Sequence, residues 1–347
     1  MTLVPFEIIG LRRSPVIGIV GLGQIGLSLA IDLISSDLEV FGFDLSSSPR
    51  AFASERGVKV VENVVELLQV ADVVFYAIPA GRMKDAVREL SSVTFERRVI
   101  VADLCSTKLD VERVFTSAAL DTSKVSYVGL HPLAGSEKRS YHGATRELFA
   151  GRVMVAAVGA ATDVESLFFL AHLLIVATKC RIVFANPAAH DRLINFTIQI
   201  PHVFAYIASS FAKEVKDQVA LEMFTGNSLR DVIRVARSDP AMVASFLYSN
   251  REVLLASLKS ATVRIESMIT VLDSGDERQL VELLDDFAPS TSKIIYESTL
   301  RRCPLNRDAL RELIDNLMSS PYLVDCIEVN EEGKLELTLV HLGEVEG

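Results

Sequence analysis

The chain has 347 residues, 50% hydrophobic and 23% charged, which is enough apolar material for two packed domains and too much for a disordered chain. A formal net charge of −10 excludes a broad basic surface for nucleic acid or an anionic membrane, so any anionic ligand has to be held by local cations. Four widely spaced cysteines, Cys105, Cys180, Cys303 and Cys326, form no CxxC pair; this argues against a metal site or a disulfide framework and fits a reducing cytoplasm.

In chain order, the N-terminal MTLVPFEIIGLRRSP lacks the basic, apolar and small-residue sequence of a signal peptide. The next stretch, VIGIVGLGQIGLSLA from Val16 to Ala30, is an apolar run ending in Gly21, Gly23 and Gly26 at the spacing GxGxxG and passing straight into a helical pattern. Such a turn binds dinucleotides. The first glycine makes the tight turn, the second lets backbone approach a pyrophosphate, and the third allows helix to pack on strand. Gln24 and Ile25 lie at the helix start, where backbone N–H groups meet the phosphates. A second apolar strand, Leu38 to Phe43, ends in Asp44, near the offset at which an acidic residue meets the ribose 2′-OH. Its carboxylate would repel a 2′-phosphate, which favours NAD; Arg50 and Ser46 to Ser48 leave NADP as a second option.

Short β-rich runs at 16 to 20, 38 to 43, 72 to 78, 98 to 102, 125 to 129, 152 to 157 and 180 to 184 alternate with amphipathic stretches. The pattern predicts an α/β, Rossmann-type doubly wound parallel sheet over residues 1–186. The apolar stretch Leu167 to Thr178 is interrupted by His172 and too short to cross a bilayer. After Pro187, helical periodicity runs through 188 to 213, 215 to 237 and 240 to 274, predicting an all-helical second domain over 187–347 for substrate and dimer contacts. Tyr322 to Val329 and Lys334 to Leu342 flank Glu331-Glu332-Gly333 and read as a hairpin in a short tail that also holds a helix.

Polar groups gather where two predicted strands end. Asp103-Leu104-Cys105-Ser106-Thr107-Lys108 follows RVIVA, and His131-Pro132-Leu133-Ala134-Gly135-Ser136-Glu137-Lys138 follows VSYVGL; both ends should face the nicotinamide. A histidine there can take a hydroxyl proton as hydride leaves the same carbon. From position alone, a structural histidine before a proline fits His131 equally well.

GLGQIGLSLA, DLCSTK, HPLAGSEKRS with ELFAGRVMV behind it, HDRLINFTIQIPH and LRDVIRVARSDPAM stand in the order found in the prephenate and arogenate dehydrogenases of tyrosine biosynthesis, which the chain resembles over about residues 15 to 260. The resemblance implies NAD-dependent oxidative decarboxylation, in which hydride leaves C4 of a cyclohexadienol and loss of the ring carboxylate as CO₂ makes the ring aromatic. It makes His131 the catalytic histidine on the C4 hydroxyl and Ser106 the serine that orients that hydroxyl; a helix N-cap is a compatible second role for Ser106. It makes Arg234 the clamp on the substrate carboxylate, a role that suits the bidentate guanidinium, with Arg230 and Arg237 on the same helix side. His202 is placed near the substrate, Glu137 at the entrance and Lys108 in support of the anionic cleft. His190 and Asp191 match a family His-Asp pair without a chemical role assigned to it. A homodimer is implied through the helical half, as are a small dicarboxylate substrate and no metal.

The chain departs from the family where Ile198-Gln199-Ile200-Pro201-His202 replaces SHLPH, where Ser228-Leu229-Arg230-Asp231 replaces GFxD, and where Val243 stands for a tryptophan; these changes put the choice between prephenate and arogenate in doubt. A β-hydroxyacid dehydrogenase would share the two-domain plan, but no lysine of the kind that class uses lies between Cys180 and Phe211. An amino-substituted prephenate as substrate, and a non-catalytic NAD-sensing module, are the other readings; His131, Ser106 and Arg234 together argue against the latter.

Overall fold

The computed structural model describes residues 13–135, 140–288, 299–304, 308, 311–312, 315, 325–329 and 335–341. Its sheet is built from β1 (Val16–Val20), β2 (Glu39–Phe43), β3 (Lys59–Val60), β4 (Val73–Tyr76), β5 (Val99–Asp103), β6 (Val125–Pro132), β7 (Val153–Ala157) and β8 (Arg181–Ala185), extended by β9 (Thr299–Pro304), β10 (Asp325–Val329) and β11 (Leu335–His341). The order is β3-β2-β1-β4-β5-β6-β7-β8-β10-β11-β9. β1 to β6 pair in parallel; β7 runs antiparallel to β6 and parallel to β8. The chain leaves β1 for β2 on one side and returns to β4 on the other, which puts a topological switch point at the carboxyl ends of β1 and β4, where doubly wound sheets bind ligands.

β4 and β5 are buried along their whole length, as their continuous apolarity requires of strands covered on both faces. One core packs α1 (Gln24–Ile34) and α6 (Val164–Thr178) on one face. The other face packs α3 (Val64–Val70), α4 (Met83–Ser91) and α5 (Leu109–Ser117); α2 (Ser47–Ser54) covers the β2–β3 edge. No helix among the described residues is long and apolar enough to cross a membrane.

The helical half comprises α7 (Pro187–Ile194), α8 (Ile200–Glu214), α9 (Gln218–Phe224), α10 (Asn227–Ile233), α11 (Pro240–Ser249), α12 (Arg251–Ser274) and α13 (Glu277–Phe287). The pattern read as one helix over 188 to 213 is interrupted by a π-helical turn, Asn195–Gln199, immediately before Pro201, whose missing N–H breaks the α-helical ladder at that point. The 215 to 237 pattern divides at Gly226, and a single 3₁₀ turn, Arg234–Arg237, closes it. Asp239 then caps α11 through Ala241 N and Met242 N with Pro240 in the first turn. α13 was not expected, although Gly275 (φ 70°) and the capping Asp276 are the local stop and start signals.

The expected hairpin is present as antiparallel β10 and β11, but β10 also pairs with β8, Asp325 opposite Phe184, so these strands extend the sheet of the first half. β9, on the outer side of β11, was not expected.

Candidate active site

The glycine turn has the geometry its spacing implies. Gly21 sits at φ 95°, and a Cβ there would strike Ala77 O; a Cβ on Gly26 would strike Gly21 O. At Gly23 a Cβ would meet nothing within 4 Å, leaving open space above the start of α1, where first-turn N–H groups stand ready for an anion. Gln24 begins α1 and its Nε2 donates to Gly143 O (3.0 Å), while Ile25 packs against the core. The Asp44 carboxylate, at the end of β2, accepts Leu22 N (2.8 Å) and Ser46 N (2.9 Å) and so lies against the turn. Arg50, the cation that left NADP open, faces Glu62 (Nη1 to Oε2, 3.1 Å). A dinucleotide with a free 2′-OH fits this cradle.

His131 lies at the carboxyl end of β6, 6% exposed. Its Nδ1 is 2.9 Å from Nε2 of His190, and the rings meet edge to face. His190 Nδ1 is 2.7 Å from Asp191 Oδ1. Burial, then His190, then the Lys108 charge push the His131 imidazole well below its usual range, so it is neutral and can accept a proton. Four residues on, a Cβ at Gly135 would lie 3.9 Å from Gln24 Oε1, so the segment after His131 reaches the cofactor helix.

Asp191 also accepts Lys108 N (2.8 Å) on Oδ1 and Leu109 N (3.0 Å) on Oδ2, capping α5 from a different helix. The N-cap role considered for Ser106 is therefore taken by Asp191; Ser106 stands half-buried in the bend between β5 and α5. Asp191 is fixed from the helical half as well, since Asn250 Nδ2 donates to its backbone O (2.9 Å) and to Gln199 Oε1 (2.8 Å). Thr107 Oγ1 donates to Ser249 Oγ (2.9 Å) across the same junction.

Lys108 differs from expectation. Its side chain is buried, with the ammonium on Asp103 and on Leu130 O (2.6 Å), rather than in an anionic cleft. Tyr127 OH completes Asp103 (2.7 Å), and Tyr127 stacks on Phe115. A buried carboxylate at the end of β5 requires a cation, and Lys108 supplies it. By holding Leu130 O, the pair fixes the strand immediately before His131.

His202 is half-buried on α8, with Nδ1 on Ile198 O (2.8 Å) and its ring edge-on to Phe246 of α11. Arg234 is exposed in the 3₁₀ turn that packs against α8. Glu137 lies outside the described residues. Two departures from the family pattern prove to be packing positions: Gln199 is fully buried with Nε2 on Phe246 O (2.7 Å), and Val243 is buried on α11. Sequence reasoning gave no role to His190, Asp191 or Asn250; the signal was an adjacent His-Asp pair on a helix with apolar neighbours.

A dinucleotide turn at the switch point, an acidic residue closing the second strand and a buried neutral histidine at a strand end define a nicotinamide-dependent dehydrogenase. The family model described as the prephenate dehydrogenase nucleotide-binding domain matches residues 29–183, and that described as its dimerization domain matches 186–286. The chain is similar to the prephenate dehydrogenase of Bacillus subtilis (26% identity, covering 75% of this chain and 71% of the relative) and to the cyclohexadienyl dehydrogenase of Zymomonas mobilis (27%, covering 77% and 91%). Its fold is similar to a crystal structure of A. aeolicus prephenate dehydrogenase in complex with hydroxyphenyl propionate and NAD+ (TM-score 0.68, 22% identity, covering 80% and 97%). The chain belongs to the prephenate dehydrogenase family and is an NAD-dependent oxidoreductase.

Proposed function

We propose that the protein oxidatively decarboxylates prephenate to 4-hydroxyphenylpyruvate, or its amino-acid counterpart arogenate to tyrosine, in tyrosine biosynthesis. The observation that carries this reading is His131: a buried imidazole kept neutral at a strand end, on a segment that reaches the cofactor helix. The glycine turn and the Asp44 carboxylate beside it would hold NAD, which would supply the hydride acceptor for C4. His131 takes the C4 hydroxyl proton as the hydride leaves and returns it to the ring oxygen as loss of CO₂ makes the ring aromatic. Ser106, in the bend at the end of β5, orients the hydroxyl, and Arg234 clamps a substrate carboxylate with its two-pronged guanidinium. His202, on α8, adds a further substrate contact. Lys108 acts from inside the fold, by fixing β6 and by disfavouring a protonated His131.

The helical half supports a homodimer, because Phe211, Met223 and Phe224 are 62%, 82% and 89% exposed in a single chain, and a two-fold contact is the usual way to cover large apolar side chains of this kind. A monomer in sedimentation at micromolar concentration would contradict it. The substrate is tested by following NAD reduction with prephenate and arogenate side by side; absence of turnover with both, with NAD and NADP, would overturn the reading.

A further inference from the structure

We propose that His190 and Asp191 are positioning residues for this reaction: the chain Asp191–His190–His131 fixes the His131 imidazole with its lone pair on Nε2 and takes over the charge of the proton that His131 accepts.

The hydrogen bonds impose the direction. Asp191 accepts backbone N–H groups on both carboxylate oxygens, from Lys108 and Leu109, so it faces His190 Nδ1 as an acceptor and that nitrogen carries a proton. A neutral His190 then presents a lone pair at Nε2, and the partner 2.9 Å away, His131 Nδ1, must donate. The remaining nitrogen of His131, Nε2, is left as the acceptor. Free imidazole side chains favour the opposite tautomer, with the proton on Nε2, in which His131 could not act as a base. The chain therefore selects the reactive form. Its anchor does not drift, since Asp191 is held by the start of α5 through its side chain and by Asn250 through its backbone oxygen.

The surrounding charges also decide where an extra proton rests. At His131, both burial and Lys108, from the segment before α5, oppose a positive charge. At His190 burial also lowers the imidazole, but there the Asp191 hydrogen bond and charge, together with Asp103 at the end of β5, oppose burial and Lys108, so a proton on that ring meets a carboxylate that His131 lacks. When the substrate O–H bond breaks, its electron pair forms the C=O bond as hydride leaves, and its proton bonds to Nε2 of His131. The Nδ1–H bond of His131 breaks in turn, and that proton bonds to Nε2 of His190, beside Asp191. Both steps reverse when the ring oxygen takes its proton back.

The proposal rests on the reaction proposed above, but its first test needs no turnover. In cofactor-free protein with ¹⁵N-labelled histidine, His131 should show the Nδ1–H tautomer at neutral pH. His190→Phe keeps the edge-to-face ring contact and removes the acceptor, so His131 should move to the Nε2–H form. His190→Gln keeps an oxygen that accepts from Nδ1 but cannot take a proton onward, so the tautomer should stay. Both variants should lower kcat by about tenfold or more with NAD affinity unchanged, within the usual range for proton-transfer groups. In mixtures of light and heavy water, wild-type kcat should depend on two transferred protons and His190→Gln on one. An Nε2–H tautomer in the wild type, or kcat within about threefold of wild type in His190→Gln, would overturn the proposal. A wild type with the expected tautomer but no turnover would instead overturn the reaction.

Discussion

Lys108→Met separates a lysine inside the fold from one in a substrate cleft. Lys108 is 1% exposed, and its ammonium is bonded to Asp103, which is 0% exposed, and to Leu130 O. Methionine keeps much of the apolar stem but leaves a buried carboxylate without its cation. Breaking a buried pair from one side costs about 3–5 kcal/mol. Tyr127 OH and Cys105 N still donate to Asp103, so the loss should fall near the lower end, about 3 kcal/mol. For a protein of this size that corresponds to roughly 4 °C in melting temperature, readable by far-ultraviolet circular dichroism. Adding Asp103→Asn to the Met variant removes the orphaned charge and should recover more than half of the loss. At a temperature where the variant is folded, substrate KM should change by less than about threefold. An unchanged melting temperature with KM raised about tenfold or more would return Lys108 to the cleft and refute the reasoning.

Asp44→Ser should raise the NADP to NAD ratio of kcat/KM, because the carboxylate against the glycine turn repels a 2′-phosphate; an unchanged ratio would show that Asp44 does not face the ribose. The acid limb of kcat should lie below 6.5, the ordinary imidazole value, since burial lowers the His131 pKa and only the neutral ring accepts a proton. For the same reason stability should be full above that value and decline as pH falls from it through the lowered native pKa values of His131 and His190, because the unfolded imidazoles bind protons first. A kcat limb above 6.5 would exclude a buried neutral base. Arg234→Ala should weaken substrate binding by about 2–5 kcal/mol with NAD binding unchanged, and an unchanged KM would move the clamp to Arg230 or Arg237.

The sheet was legible in the sequence because its strands are short β-rich runs, continuously apolar where both faces are covered as in β4 and β5, and seven such runs are strands within a few residues of where the pattern places them. The two-residue β3 has too few residues to leave a pattern. The helical half was legible as helical but not in its breaks: 3.6-residue periodicity continues through the π turn before Pro201, where only the ladder changes. That β10 pairs with β8 is a long-range contact on which local sequence carries no information. Within the site, GxGxxG was legible because its glycines answer to backbone geometry. The burial of Lys108 was not legible, because a lysine beside a strand end has the same sequence signature whether it faces solvent or a buried carboxylate. Gln199 and Val243 stand out in the sequence as departures from a motif, which does not show that both side chains are buried.

The most direct test of the central claim is a paired measurement on the purified protein with prephenate or arogenate: NAD reduction by absorbance and CO₂ release, in wild type and His131→Ala. The account predicts equal amounts of reduced NAD and CO₂ in the wild type, and kcat lowered by about 10² to 10⁴ in the variant with NAD affinity retained. Reduction of NAD without release of CO₂, or a variant that turns over as fast as wild type, would contradict it.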